Sequence, residues 1–169
     1  AWSIGLAVSL GLLGCALGTF VVTAVADRLG RRATLILLSV LMALGGLALA
    51  VSATASLVMV AALVGMVNGM GRDRGAGVTV EQAMLPQTTS ESNRTAAFAW
   101  YNLVVDAGHA VGSLLGGLPT HLRAHPGQPV LESYRWPWGV YSVLCLAAGV
   151  AALCLSPAVE RRPGGPRIR

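Results

Sequence analysis

The chain contains no lysine, and charge of any kind is scarce: 11% of its 169 residues are charged. Soluble domains carry about 25%, so this composition does not build a surface that faces water on every side. All 12 basic residues are arginine, and they gather at the ends of apolar runs. That placement fits membrane topology better than a phosphate-binding face, so nucleic acid is not expected as a partner despite the net charge of +5. Cysteine is equally sparse. Cys15, Cys145 and Cys154 all lie inside apolar runs, an odd number that argues for packing roles and against a disulfide framework. Metal-ligand spacing is missing too: His121 and His125 have no cysteine near them and only Glu132 as carboxylate support, so neither metal nor other cofactor is expected. The start lacks the basic segment and small-residue cleavage site of a signal peptide, and with Ala1 in first place the chain reads as a piece of something longer.

What the chain has instead is long uncharged runs. Hydrophobic residues make up 54% of it, and mean hydropathy is +0.67. About 20 apolar residues cross the hydrocarbon of a bilayer. The expected class is therefore an all-α membrane protein with five transmembrane helices, over residues 1–26, 33–51, 57–85, 95–118 and 139–156. The tight turn Asp27-Arg28-Leu29-Gly30-Arg31-Arg32 joins the first two spans as antiparallel neighbours. The uncharged run 33–71 is too long for one crossing, and the polar stretch Ser52 to Ser56 divides it. Pro86 and the polar run after it are expected to end the third span. Residues 119–137 are expected as the longest loop, with Tyr134, Trp136 and Trp138 forming an interfacial belt before the fifth span. The Pro-, Gly- and Arg-rich segment 157–169 reads as a flexible cytoplasmic tail or linker.

Arginine placement orients these spans. Three arginines lie in the first turn, three between Arg72 and Arg94, and four in the tail, against only Arg123 and Arg135 on the other side. The positive-inside bias puts the richer side in the cytoplasm of a plasma (inner) membrane, with the tail inside.

The fourth span carries the chemistry. Asn102, Asp106, His109 and Ser113 recur at helical spacing and share one face. Asp106 falls about 16 Å along the helix, near the bilayer centre. A carboxylate there costs about 2.5–3.5 kcal/mol against lipid, so this face belongs against protein or a water-filled path. Asp106 and His109 both titrate, which suits proton coupling; the alternative is a hydrogen-bonded pair that fixes packing. Gly108, Gly112 and Gly116, with Gly117, form a second stripe for close helix approach. In the third span Gly65, Gly69, Asp73, Gly77 and Glu81 recur every four residues. Arg72, Asp73, Arg74 and Glu81, with Arg94 at the base of the next span, form a candidate ionic gate at the cytoplasmic mouth; the other reading is neutralised pairs and interface anchors.

The first turn, Thr23-Ala24-Val25-Ala26-Asp27-Arg28-Leu29-Gly30-Arg31-Arg32, resembles the loop between the second and third spans of the major facilitator superfamily, Gly-x-Leu-Ala-Asp-Arg-x-Gly-Arg-Arg/Lys, with Thr23 in the glycine position. Gly108-x-x-x-Gly112-Ser113-x-x-Gly116-Gly117 is similar to the fifth-span antiporter signature of that family, with Ser113 in place of proline. The resemblance covers essentially the whole chain as spans two to six of a six-span half. It implies an incomplete helical bundle of a secondary transporter, in which two halves rock about a central site. It also implies a gating role for Asp27, Arg28, Gly30, Arg31 and Arg32, a small-molecule solute, and partners in the remaining spans or a second copy. The fifth-span glycines favour the N-terminal half and export, although the first motif also recurs in second halves. The alternative from another class is a non-transporting membrane scaffold that packs through its glycines. An enzyme is not expected, since no Ser–His, paired-Asp or His-Glu-x-x-His arrangement occurs.

Overall fold

Uninterrupted apolar sequence becomes helix here, and nothing else regular forms among the described residues. The computed structural model describes residues 2–52, 54–67, 75–123 and 130–160. Seven α-helices follow in order: α1 Trp2–Leu29, α2 Arg31–Val51, α3 Ala55–Val64, α4 Gly75–Thr88, α5 Arg94–Leu115, α6 Leu118–Arg123 and α7 Val130–Leu153. Short 3₁₀ turns at Glu91–Asn93 and Pro157–Val159 complete the described chain. The class is all-α, as a partial membrane bundle requires, because in lipid each helix satisfies its own backbone hydrogen bonds.

The distribution of helices differs from the expected five spans. Among the described residues, three helices are long and apolar enough to cross a membrane, at Trp2–Leu29, Arg31–Val51 and Glu132–Leu153. The segment expected as one span over 57–85 is divided, with α3 stopping at Val64 and α4 starting at Gly75. The stop is a hydrogen-bonded C-terminal cap. Val67 N–H donates to the Ala62 carbonyl at 3.0 Å and Met66 N–H to that of Leu63 at 3.4 Å, while Met66 takes the left-handed conformation, φ 51°, that usually falls to glycine. The Cys15 thiol of α1 donates to the Met66 carbonyl at 3.1 Å, holding this corner against the first helix. Because methionine occupies the position where glycine is the usual signal, the stop was illegible in the sequence. The stretch expected over 95–118 is helical as α5, but its polar stripe keeps it below the hydropathy of the other three.

The two proline stops also differ. Pro86 lies inside α4, whose last carbonyls, Met84 and Leu85, accept from the Thr88 hydroxyl. Pro137 lies inside α7, so Tyr134, Trp136 and Trp138 are helical residues rather than the end of a loop. Proline removes one backbone bond, and the turns on either side keep theirs.

Packing concentrates in α1 to α4 and α7. The face between α2 and α7 is the most extensive, followed by those of α1 with α3 and α4. Glycine sets the closest approaches. A Cβ at Gly14 of α1 would stand 2.0 Å from the Leu63 carbonyl oxygen of α3, and one at Gly45 of α2 would stand 2.6 Å from the Gly65 Cα. Below the α1–α2 turn lies an apolar core of Val22, Leu38, Ala76, Val80, Met84 and Val159. Large apolar side chains remain exposed around the bundle, among them Phe20 at 75% and Leu114 at 80%. Such a surface belongs against lipid or further helices.

Candidate functional site

The α1–α2 turn is the point where most of the bundle is tied together. Gly30 ends α1 with φ 92° and ψ 138°, a conformation glycine enters without steric cost. Its N–H bonds the Ala26 carbonyl at 3.0 Å, and its own carbonyl accepts from the Thr34 N–H at 3.0 Å and the Thr34 hydroxyl at 2.8 Å. No side chain of the turn caps the start of α2. Unpaired N–H groups at a helix start need an acceptor, and the dipole there favours an anion.

The acceptor comes from the far end of the described chain. Glu160 Oε2 accepts from Arg31 N–H at 2.8 Å and Glu160 Oε1 from Arg32 N–H at 3.2 Å. The local sequence aims it there. Ser156 caps the last 3₁₀ turn by accepting from Ala158 N–H at 3.1 Å, and Val159 is buried in the apolar core. With Val159 anchored, the next side chain reaches the head of α2. Gly30 also leaves room for the carboxylate: a Cβ there would lie 3.2 Å from Glu160 Oε1, which would have to yield by a few tenths of an ångström.

Arginine side chains spread the junction outward. Arg31, 8% exposed, donates from Nη1 to the Ala83 carbonyl of α4 at 3.0 Å and pairs through Nη2 with Asp27 Oδ1 at 3.4 Å. Arg32 Nη2 donates to the Leu153 carbonyl at the end of α7. One short segment thus holds α1, α2, α4, α7 and the turn after α7 through two carboxylates, two guanidinium groups and the Ala83 and Leu153 carbonyls. Such a junction can be stable while closed and can open only by exchanging several charged contacts for water together.

Of the residues expected to gate, Asp27, Gly30, Arg31 and Arg32 meet here, and Arg28 lies exposed beside them. Glu160 was missed. Residues 157–169 were expected as a flexible tail, yet 157–160 fold onto the bundle. The available signal was one carboxylate, preceded by Ser-Pro and a valine, within an arginine-rich segment.

The other expected groupings fare differently. Arg72, Asp73 and Arg74 of the ionic gate, and Gly69, lie outside the described residues. Glu81 of α4 accepts from the Tyr101 hydroxyl of α5 at 2.6 Å, whereas Arg94 pairs with Glu91 at 3.7 Å on an exposed turn. Asn102, Asp106, His109 and Ser113 line up on α5, all exposed. A Cβ at Gly77, Gly108 or Gly112 would meet nothing within 4 Å, and one at Gly116 or Gly117 only the carbonyl groups of the preceding turn. The α5 glycines thus pack no second helix among the described residues; Gly65 does, against Gly45. Nor do three His, Cys, Asp or Glu side chains gather among those residues as metal ligands would.

Comparison with known proteins agrees with this architecture. The sequence profile of the Major Facilitator Superfamily matches residues 3–169. The uncharacterized membrane protein YJR124C of Saccharomyces cerevisiae is 29% identical over 159 residues, covering 93% of this chain and 36% of that protein. The chain therefore spans about a third of the length of this relative. No solved structure matches.

Proposed function

We propose, from the premise that this chain belongs to the major facilitator superfamily, that it forms part of a secondary transporter moving a small solute by alternating access. As a member of that family it is a membrane protein of the transporter kind. The finer reading is that the α1–α2 junction is the cytoplasmic latch of one half. One observation carries it: the Glu160 carboxylate seated on the amides of Arg31 and Arg32 while Arg31 reaches Asp27 and Ala83. A latch needs contacts that are strong together yet made of groups water can also serve, and this junction has that character.

The arginine-rich ends support a cytoplasmic location for the junction, since Arg31 and Arg32 of the charged turn reach α4 and the end of α7. Proton coupling through Asp106 and His109, with Asn102 and Ser113 beside the solute, and export from a plasma (inner) membrane follow from the polar stripe and the fifth-span glycines. The solute path and the remaining spans, or a second copy, would then face α5. The scaffold reading draws on one observation, the unfilled glycine stripe of α5, but a scaffold has no need of a titratable stripe beside it.

The test is flux in liposomes carrying the full-length protein, with labelled sugars, organic anions and cationic dyes under an imposed proton gradient. Gradient-driven movement of at least one of these, lost in Asp106→Asn with insertion intact, supports the reading. Movement of none, together with a stable complex formed through α5, supports the scaffold instead.

A further inference from the structure

Helix α5 carries its polar chemistry on a narrow strip. At one turn per 3.6 residues, Asn102, Asp106, His109 and Ser113 fall within about 60° of arc, and all four are exposed. Asp106 and His109, three residues apart, are separated by about 4.5 Å along the helix axis. Side chains at that spacing are neighbours on a helix surface. Asn102 lies about 6 Å before the pair and Ser113 about 6 Å beyond it.

This donor set selects a class of ligand. Glu-x-x-His at the same spacing holds divalent iron and manganese in helix bundles, and Asp106 differs from Glu by one methylene. Mixed oxygen and nitrogen donors suit manganese, iron, cobalt and zinc, whereas magnesium and calcium take oxygen and copper(I) takes sulfur. Other ligands fit less well. An anion needs a cation, and the sole arginine of α5, Arg94, lies about 18 Å from Asp106 along the axis and pairs with Glu91. An organic cation is held by aromatic faces, yet Phe98, Trp100 and Tyr101 precede Asp106 by about 7.5 Å or more. Beside the pair, a Cβ at Gly108 or Gly112 would meet nothing within 4 Å, which leaves room for an ion that keeps some of its water. Among the described residues no group of three His, Cys, Asp or Glu side chains gathers. The described chain therefore offers two ligands, and the remaining positions go to water or to donors elsewhere in the transporter. A closed four-ligand site keeps its metal as part of the fold; an open one lets the ion leave, as a cargo must.

We propose that Asp106 and His109 form one half of a binding site for a divalent transition-metal ion, and that this ion is the transporter's cargo. An Asp106 carboxylate oxygen and a His109 ring nitrogen coordinate the ion, while Asn102 and Ser113 accept hydrogen bonds from its remaining waters. The ion keeps its oxidation state, and no covalent bond of the protein changes. The proposal rests on the transport reading and names the solute class that the α5 strip takes.

The test uses the full-length protein in lipid nanodiscs, titrated with Mn²⁺ while the electron paramagnetic resonance of the free ion is followed. Binding should remove Mn²⁺ from the free signal, and the bound ion's spin echo should carry the modulation of an imidazole nitrogen. Zn²⁺ should displace it, whereas Mg²⁺ and Ca²⁺ at the same concentration should not. His109→Gln should abolish the nitrogen modulation. Asp106→Asn should weaken binding by at least about tenfold, since loss of even an outer partner of a metal ligand costs that much. His121→Gln, on α6, should bind as the wild type does. Asp106→Glu and His109→Cys, which keep a ligand at each position, should still bind, and they serve where an amide variant fails to insert. No binding by the wild type, equal displacement by Ca²⁺ and Zn²⁺, or a signal unaltered in Asp106→Asn or His109→Gln overturns the proposal. Because binding needs no gradient, absence of flux leaves this result standing. Flux of an organic solute by a protein that binds no Mn²⁺ removes only this inference.

Discussion

The α1–α2 junction and helix α5 are both rich in glycine and polar side chains, yet they have opposite surroundings. At the junction Asp27, Arg31, Arg32 and Glu160 each have a partner, and a Cβ at Gly30 would crowd the Glu160 carboxylate. Along α5 the polar stripe is exposed, and two of its glycines face open space. The contrast shows that the same residue types make a closed junction or an exposed stripe according to what the tertiary fold brings against them. Here Glu160, Ala83 and Leu153 complete the first motif. The second lies exposed among the described residues.

Substitutions in the packed bundle, at its glycines and at the junction, and in α5 test this contrast. Gly14→Ala places a methyl carbon 2.0 Å from the Leu63 carbonyl oxygen, so α1 and α3 must part. Overpacking of this kind costs about 1–3 kcal/mol or more, read as a large fall in the thermal midpoint of the detergent-solubilised protein. Arg31→Ala comes next. It leaves the Ala83 carbonyl and Asp27 without their guanidinium, and an unmade buried hydrogen bond costs about 1–3 kcal/mol. Glu160→Gln retains an acceptor for the α2 amides but removes the anion from the helix start, a loss of about 0.3–1 kcal/mol that shrinks with added salt. The smallest effect belongs to α5. Gly108→Ala should leave the fold of this chain unchanged or stabilise it by up to about 1 kcal/mol through helix propensity. If Gly108→Ala destabilises this stretch of chain as much as Gly14→Ala does, α5 and the packed bundle are not different environments.

Much of this was legible before any coordinates. The uncharged runs announced helices α1, α2 and α7, and Ser52 to Ser56 marked the break between α2 and α3. The family resemblance of the turn Asp27 to Arg32 pointed to Asp27, Gly30, Arg31 and Arg32, which meet there, but not to Glu160. Other features hid for identifiable reasons. Met66 caps α3 where glycine would have been the signal, and Pro86 and Pro137 sit inside helices that tolerate one missing bond. Glu81 was grouped with arginines because charges of opposite sign on one helix suggest a gate, but its described partner is a tyrosine hydroxyl twenty residues on.

Composition and periodicity alone determined that this is a helical chain of membrane type, because lipid leaves an apolar chain few ways to satisfy its backbone; the resemblance to the major facilitator superfamily lay in the motifs of the first turn and of α5. They also determined where a charged turn must interrupt the helices. Only the folded chain decided what that turn holds. A carboxylate 129 residues away along the chain reaches the head of α2 because Val159 is buried beside α4, and no local pattern encodes a contact of that separation.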